Sequence, residues 1–387
     1  TLIIFNVFIY NGAYAINTTA AQAIIYDYET KTVIFEKNSK ELVSPSSMSK
    51  IMTIYYLFKK LKDGEIELTD EFKVSKKAWK KGGSKMFVNV GSLVKVEDLI
   101  RGIIVQSGND ACIVVAEAIS GSEDLFAQEL NLLGQEIGLK NSNFTNSTGW
   151  PDPEHLMTVE DLLTLTIRTI EDFPEFYHYY AEKEFTFSDI KQNNRNPLLY
   201  SNIESDGLKT GHTSLGGYGI VVSLKKKDRR LILVLNGLKS SKARAKESER
   251  LSNIAINQYF NYLISEKDKI VKNLNVWGGK KKYIGAVSDK KVIVTIPKTL
   301  KNNLKIVVKH KLPLVAPLYK DEPIAELIVK KKKSNTILSK FDLYPSEDVK
   351  KSSFLSKIYY NFKYLIFGDS IFIEQWKNSF LLKVVKV

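Results

Sequence analysis

Ser47 and Lys50 are three residues apart, a spacing that could place a nucleophile beside a base. Pro45 and the serines around it are typical of a helix start, and residues three apart share one face of a helix. A serine hydroxyl becomes a good nucleophile when a neighbouring base takes its proton, and a lysine amine serves as that base when burial or a nearby cation lowers its pKa. The apolar residues that follow, 51–58, predict a buried helix, which supplies such a setting.

The Ser-x-x-Lys spacing alone does not identify a site. The same spacing recurs at Ser92/Lys95, Ser188/Lys191, Ser223/Lys226 and Ser288/Lys291. In a lysine-rich chain most such pairs lie by chance on solvated faces. The first pair stands out because two further motifs follow it in the sequence.

The second motif is Ser107-Gly108-Asn109, the only Ser-x-Asn in the chain. In an acyl transfer, Ser47 would attack a carbonyl and Lys50 would accept its proton, while Ser107 could relay that proton toward the leaving amine. The Asn109 amide could bond Lys50 or an amide of the substrate.

The third motif is Lys209-Thr210-Gly211, the only Lys-Thr-Gly in the chain. The positive charge of Lys209 would help to keep Lys50 neutral and would attract a substrate carboxylate. Thr210 adds a hydroxyl donor. Gly211, having no side chain, would let a substrate lie along the edge of a strand.

The length of 387 residues suggests two domains, each able to bury a core. The formal net charge of +14 attracts polyanions such as nucleic acid, anionic lipid or an acidic cell-wall polymer. Zinc-finger spacing, an arginine-rich stripe and interleaved basic and aromatic residues are all missing from the sequence. We therefore expect no nucleic-acid partner.

Cys112 is the single cysteine, so neither an internal disulfide nor a thiolate metal cluster can form. The four histidines include no His-Glu-x-x-His pair, and the sequence has no Gly-x-Ser-x-Gly elbow. Metalloprotease and α/β-hydrolase chemistry is thereby excluded. We expect no metal and no cofactor.

Composition divides the chain into four segments. Residues 1–15 are apolar and end in Ala-Tyr-Ala, which is typical of a secretory signal peptide and predicts export. Residues 16–265 carry all three motifs and form the expected catalytic domain. Residues 266–348 contain short β-branched runs and predict a small all-β domain. Residues 349–387 have apolar residues at helical spacing beside lysines, which predicts an amphipathic helix on an anionic membrane surface.

Periodicity and turn residues also predict individual elements of the catalytic domain. The expected elements are hairpins formed by 21–28 with 32–35 and by 216–223 with 230–237, and helices over 96–105, 111–119, 159–170 and 241–262. Asp110 is expected as the N-cap of the second of these helices.

With these motifs in this order, the chain resembles the penicillin-binding serine D-Ala-D-Ala carboxypeptidases of the low-molecular-mass group. The resemblance covers nearly the whole chain. The stretches that carry it are 45–53 (Pro-Ser-Ser-Met-Ser-Lys-Ile-Met-Thr), 106–112 (Gln-Ser-Gly-Asn-Asp-Ala-Cys), 193–196 (Asn-Asn-Arg-Asn) and 206–213 (Asp-Gly-Leu-Lys-Thr-Gly-His-Thr). It implies an α+β fold with a penicillin-binding/β-lactamase-like antiparallel sheet flanked by helices. A small all-β C-terminal domain and an amphipathic C-terminal helix would follow.

The resemblance also implies a role for each motif residue in catalysis. Ser47 would form the acyl-enzyme, and Lys50 would be its base or proton shuttle. Ser107 and Asn109 would assist them. The backbone N–H groups of Ser47 and His212 would form the oxyanion hole.

Substrate binding is implied in the same way. Lys209 and Thr210 would hold the terminal carboxylate of the substrate, next to Gly211. Arg195, in the Asn-Arg-Asn run, would add a further carboxylate contact. The expected partners are the peptidoglycan stem peptide and β-lactam antibiotics.

The implied activity is hydrolysis of the terminal D-Ala-D-Ala bond of peptidoglycan stem pentapeptides, which releases D-alanine, limits cross-linking and is inhibited by penicillin. The implied location is the periplasmic side of the bacterial inner membrane, with a peripheral anchor. Class A β-lactamases need a Glu-x-x-x-Asn element to position the deacylating water, and none lies between Ser107 and Lys209. Two alternatives stay open, namely an endopeptidase that cuts cross-links and an inactive wall-binding scaffold.

Overall fold

The computed structural model describes residues 6–7, 16–353, 358, 362, 365 and 385–386. The chain divides into two units between Asn257 and Gln258. The signal peptide predicted at 1–15 lies outside the described residues apart from the pair 6–7, and so does most of the predicted tail helix. Over the described residues, no helix has both the length and the apolar character needed to cross a bilayer.

An antiparallel sheet forms the centre of the first unit. The strands of this unit are β1 (Asn6–Val7), β2 (Gln22–Asp27), β3 (Thr32–Lys37), β4 (Glu71–Lys73), β5 (Leu93–Lys95), β6 (Glu184–Phe187), β7 (Ile190–Asn193), β8 (Ser205–Thr213), β9 (Gly217–Lys226) and β10 (Arg229–Leu238). The main sheet has the order β1-β3-β2-β10-β9-β8, and its pairs are antiparallel except for β1 with β3. The predicted antiparallel sheet is confirmed.

Helices flank this sheet. They are α1 (Lys50–Lys62), α2 (Lys76–Lys80), α3 (Val96–Ile104), α4 (Asn109–Ser120), α5 (Glu123–Glu136), α6 (Val159–Asp172) and α7 (Ser241–Gln258). Residues 51–58 of α1 are all buried, as expected for a helix that is apolar on every side. Helix α6 packs against β2, β9 and β10, and α1 contacts α3, α4, α5 and α6. The start of α1 is therefore fixed between the sheet and the helices.

Two local predictions were wrong. Asp110 is not an N-cap, because Gly108 holds that position in α4. The Asp110 carboxylate accepts instead the backbone N–H groups of Met86 (2.8 Å) and Phe87 (2.9 Å), and so ties a neighbouring loop to α4. The closing helix α7 ends at Gln258 rather than at 262, since the residues that follow form a strand.

Residues 259–345 of the second unit form an all-β domain apart from a 3-10 turn, Lys298–Asn303, and residues 358, 362 and 365 of the same unit are helical. Its strands are β11 (Tyr259–Ser265), β12 (Ile270–Trp277), β13 (Tyr283–Val287), β14 (Val292–Pro297), β15 (Leu304–His310), β16 (Leu314–Val315), β17 (Ala325–Lys331), β18 (Ile337–Pro345) and β19 (Val385–Lys386). They form sheets of order β14-β11-β19 and β15-β17-β18-β13-β12-β16. The unit begins before the expected boundary at 265/266 because β11 pairs with β14.

Candidate active site

Ser47 lies on a one-turn 3-10 helix, Ser46–Ser49, that runs directly into α1. Lys50 is the first residue of α1, and the Lys50 Nζ is 2.9 Å from the Ser47 Oγ. We expected an α-helix from Ser47; the 3-10 turn still brings the two side chains together because residues i and i+3 eclipse each other in that geometry. The nucleophile and the candidate base are in hydrogen-bond contact.

The Lys50 amine has two other contacts, and both are with oxygen acceptors. It donates to the Asn109 Oδ1 at 2.7 Å and to the backbone carbonyl of Thr148. The Asn109 Nδ2 donates to the Gly82 carbonyl at 2.9 Å, which fixes the amide with its oxygen toward Lys50. A neutral amine has two N–H groups and one lone pair, so the two acceptors leave the lone pair for the Ser47 hydroxyl.

Burial is the largest cause that lowers the pKa of Lys50, to about 8, because the side chain is fully buried and a charged amine loses its hydration. The positive charges of Arg195 and Lys81 lower the pKa further. The sequence predicts a low pKa for Lys50 from burial and from the charge of Lys209. A pKa near 8 leaves a useful fraction of neutral base at physiological pH.

Ser107 and Lys209 form the second contact pair of the site. The Lys209 Nζ donates to the Ser107 Oγ at 2.8 Å, and both side chains are buried. Burial, followed by the positive charge of Lys50, holds the pKa of Lys209 well below its ordinary value. Ser107 has φ = +59°, an unusual conformation for a residue other than glycine, in the turn between α3 and α4. Such strained positions are concentrated at functional sites.

Gly211 lets β8 pack directly against the nucleophile turn. A Cβ at this position would lie 2.9 Å from the Pro45 carbonyl oxygen and 3.1 Å from both Ser46 Cβ and Met48 Cγ. From the sequence, Gly211 is expected to make room for the substrate. In the structure the glycine permits close approach of the protein's own backbone.

The remaining predicted residues surround this centre. Thr210 is buried beside Lys209, and His212 is exposed, with its ring stacked on Tyr218 at a centroid distance of 3.8 Å. Arg195 lies apart from the bonded network, since its Nη1 donates to the Ser84 Oγ at 2.6 Å. Its positive charge nevertheless lowers the pKa of both Lys50 and Lys209.

Two contributors to the site are not predicted by the sequence motifs. The Thr148 carbonyl is a backbone group, and no residue type signals it. Arg244 is buried on α7, with its Nη1 3.5 Å from the Gly211 carbonyl and its guanidinium 5.7 Å from the Tyr218 ring centroid. The buried residues of this helix recur at helical spacing, which was the available signal for an inward-facing arginine; they are Arg244, Glu247, Ser248, Leu251, Ser252 and Ala255.

Cys112 and His155 are structural. Burial raises the pKa of the Cys112 thiol to about 12, so the thiol is protonated at neutral pH. Burial lowers the pKa of His155 to about 4, and its Nδ1 accepts the Thr145 N–H at 3.2 Å. Among the described residues, no three or more His, Cys, Asp or Glu side chains are grouped so that they could hold a metal ion.

The fold and these contacts define a class, the penicillin-binding enzymes that act through a serine. Residues 10–240 match the family model for D-alanyl-D-alanine carboxypeptidase, and residues 259–351 match that for the penicillin-binding protein 5 C-terminal domain. The chain belongs to the D-alanyl-D-alanine carboxypeptidase family and is a serine-type enzyme of that kind.

Individual relatives agree with this assignment. The chain is 38% identical over 312 residues to D-alanyl-D-alanine carboxypeptidase DacC of Escherichia coli K12, covering 79% of this chain and 78% of that protein. It is 37% identical over 320 residues to DacA of Haemophilus influenzae, covering 80% of each. The crystal structure of penicillin binding protein 5 from Haemophilus influenzae superposes with a TM-score of 0.77 at 34% identity, over 88% of this chain and all of that one.

Proposed function

We propose that the protein hydrolyses the terminal D-Ala-D-Ala bond of peptidoglycan stem peptides through an acyl-enzyme on Ser47. The observation that carries this proposal is the Lys50 amine, 2.9 Å from the Ser47 Oγ, with two acceptors on its other side. That arrangement suits an amine that removes the hydroxyl proton.

Acylation follows from these contacts. The Ser47 Oγ attacks the carbonyl carbon of the scissile bond while its proton passes to the Lys50 Nζ. The backbone N–H groups of Ser47 and His212 stabilise the negative charge on the carbonyl oxygen. The carbon–nitrogen bond then breaks, and the leaving D-alanine nitrogen receives the proton from Lys50 by way of the Ser107 hydroxyl.

Deacylation reuses the same groups. A water molecule attacks the ester on Ser47 and gives a proton to Lys50, and the Ser47 oxygen is then protonated as the acid product leaves. A penicillin-derived ester is expected to resist this step, because the amine freed when the β-lactam ring opens stays attached to the acyl group and hinders the attacking water, whereas D-alanine leaves the site. Penicillin is therefore an inhibitor in this proposal.

The terminal carboxylate of the substrate is assigned to the cations around β8. Lys209 is buried on this strand, and the Arg244 guanidinium contacts the Gly211 carbonyl. Arg195, in the Asn-Arg-Asn run, is exposed. Thr210 supplies a hydroxyl donor. A bound carboxylate would favour the charged form of Lys209, whose pKa is low in the free site.

We also propose that the chain is exported and attached to the membrane surface by its C-terminal segment. Support comes from the apolar residues Ile358, Phe362 and Leu365, which are helical, exposed and spaced to share one helix face. Vesicle flotation of the full chain against a form ending at residue 353 tests this part. Equal flotation of the two forms would contradict it.

Intact-protein mass spectrometry after incubation with penicillin tests the catalytic proposal, together with D-alanine release from a stem pentapeptide. We expect one stable adduct that is lost in Ser47→Ala, and release of D-alanine by the unmodified enzyme. An adduct without D-alanine release would favour cross-link cleavage or a scaffold. Rapid turnover of penicillin would point to a β-lactamase.

A further inference from the structure

A concentration of lysines lies at one end of the larger sheet of the second unit. We call it the lysine patch, and it consists of Lys298, Lys301, Lys305, Lys330, Lys332 and Lys333. The first two are on the 3-10 turn before β15, the third is on β15, and the others end β17 and enter the turn that follows.

Strand pairing gathers these residues from two separate segments. In the antiparallel pair β15–β17, Leu304 is opposite Lys331 and Lys305 is opposite Lys330. The Lys332 N–H donates to the Asn303 carbonyl at 2.7 Å, and the Lys332 Nζ donates to the Asn302 carbonyl at 3.0 Å. The turn before β15 and the turn after β17 are therefore held side by side.

No acidic side chain in these two segments neutralises the patch. Residues 298–305 and 330–336 contain neither aspartate nor glutamate. Among the described residues of the second unit, Lys281 pairs with Glu347, Lys291 with Glu266 and Lys340 with Glu326. Each of them lies outside the lysine patch.

The patch costs stability, which suggests that it serves a purpose other than folding. Lys305 and Lys330 are directly opposite each other, and like charges in that position repel. Lys298, Lys301, Lys332 and Lys333 are exposed to solvent. Such a surface is complementary to a polyanion whose charges recur along a chain.

We propose that the lysine patch binds the free carboxylates of the peptidoglycan polymer and so tethers the enzyme to its substrate. This rests on the proposed function, because that function makes peptidoglycan the substrate. Every unlinked stem peptide ends in a carboxylate, so the polymer carries repeated negative charges outside the peptide that occupies the active site. The patch recognises charge on the polymer and takes no part in the chemistry at Ser47.

The test compares two quadruple variants of the full chain with equal net charge. The patch variant carries Lys305→Gln, Lys330→Gln, Lys332→Gln and Lys333→Gln. The matched control changes exposed lysines elsewhere in the same unit and carries Lys280→Gln, Lys282→Gln, Lys350→Gln and Lys351→Gln. Binding is measured by co-sedimentation with purified, insoluble peptidoglycan at several salt concentrations, and again with peptidoglycan whose carboxylates have been amidated.

We expect the patch variant to bind peptidoglycan about tenfold more weakly at low salt, since four ion pairs at the protein surface, each of ordinary strength, sum to about that factor. The control variant should bind like the wild type, and amidation should reduce wild-type binding to the level of the patch variant. D-alanine release from a soluble pentapeptide should be unchanged in both variants, while release from polymeric peptidoglycan should fall in the patch variant alone.

Three outcomes would overturn the proposal. Equal loss in both variants would mean that overall charge, rather than the patch, governs binding. Undiminished binding to amidated peptidoglycan would exclude the carboxylates. Loss of binding to phosphatidylglycerol vesicles with unchanged peptidoglycan binding would assign the patch to a lipid surface. Failure of the pentapeptide reaction in the wild type would instead refute the proposed function. Thermal unfolding checks that the patch variant folds, and relief of the Lys305–Lys330 repulsion should leave its Tm equal or higher.

Discussion

The pH dependence of penicillin acylation is the most direct test of Lys50 as the base. Acylation requires the neutral amine, so the second-order rate constant should fall as pH drops through the Lys50 pKa of about 8. At pH 7 a pKa of about 8 leaves roughly 10% of the amine neutral. An amine at the ordinary pKa of 10.5 would be only about 0.03% neutral.

Burial and the nearby positive charges together therefore increase the neutral fraction of the Lys50 amine about 300-fold at pH 7. The rate should rise about tenfold per pH unit below 8 and become level above it. Stopped-flow mixing with a fluorescent penicillin between pH 6 and pH 10 measures the profile. The apparent pKa belongs to the pair of buried amines, because Lys209 titrates in the same site.

A single substitution refines this test without touching the base. Lys81→Gln removes one of the cations that lower the pKa of Lys50, so the midpoint of the profile should move to higher pH while the upper plateau is retained. Lys80→Gln is the matched control, since Lys80 is an exposed neighbour that is not among the causes of the shift. A flat profile, or a midpoint near 10.5 in the wild type, would refute Lys50 as the base.

The remaining predictions concern the walls of the site. Gly211→Ala should lower the acylation rate about 100-fold with a modest loss of Tm, because the alanine methyl group would push β8 away from the Pro45 carbonyl and Met48. An unchanged acylation rate would contradict this prediction. Asp110→Asn should destabilise the protein by about 2 kcal/mol and speed proteolysis of the loop whose backbone N–H groups donate to the Asp110 carboxylate. Equal unfolding curves for the variant and the wild type would argue against this stabilising role. Cys112 should react with maleimide only after denaturation, as its thiol is buried and protonated, and labelling of the native enzyme would disprove it.

The site could be predicted from the sequence wherever the chemistry requires a particular type of side chain. Ser47, Lys50, Ser107, Asn109 and Lys209 do form bonded contacts in the structure. Their motifs are readable because a nucleophile, a base and their partners each require a particular side chain. The roles assigned to them await the experiments above.

Other features depended on tertiary contacts that a local pattern does not contain. The carbonyl of Thr148 binds Lys50 through the backbone, and any residue type at this position offers the same group. Aspartate is a common N-cap residue, yet the Asp110 carboxylate accepts hydrogen bonds from backbone N–H groups of a loop 22 to 24 residues earlier in the chain. Helix α7 ended early because the pairing of β11 with β14 outweighed a helical periodicity that continued past Gln258.

The contacts of Lys50 and Lys209 also make the site a reporter of folding. The bond from Lys50 to Asn109 joins residues 59 positions apart, and the bond from Lys209 to Ser107 joins residues 102 positions apart. An unfolded chain loses both, and with them the neutral base that activates Ser47. One covalent penicillin label per molecule would thus count native catalytic units in a heated or refolding sample, and the kinetics of label uptake would follow their loss or recovery without any change to the chain.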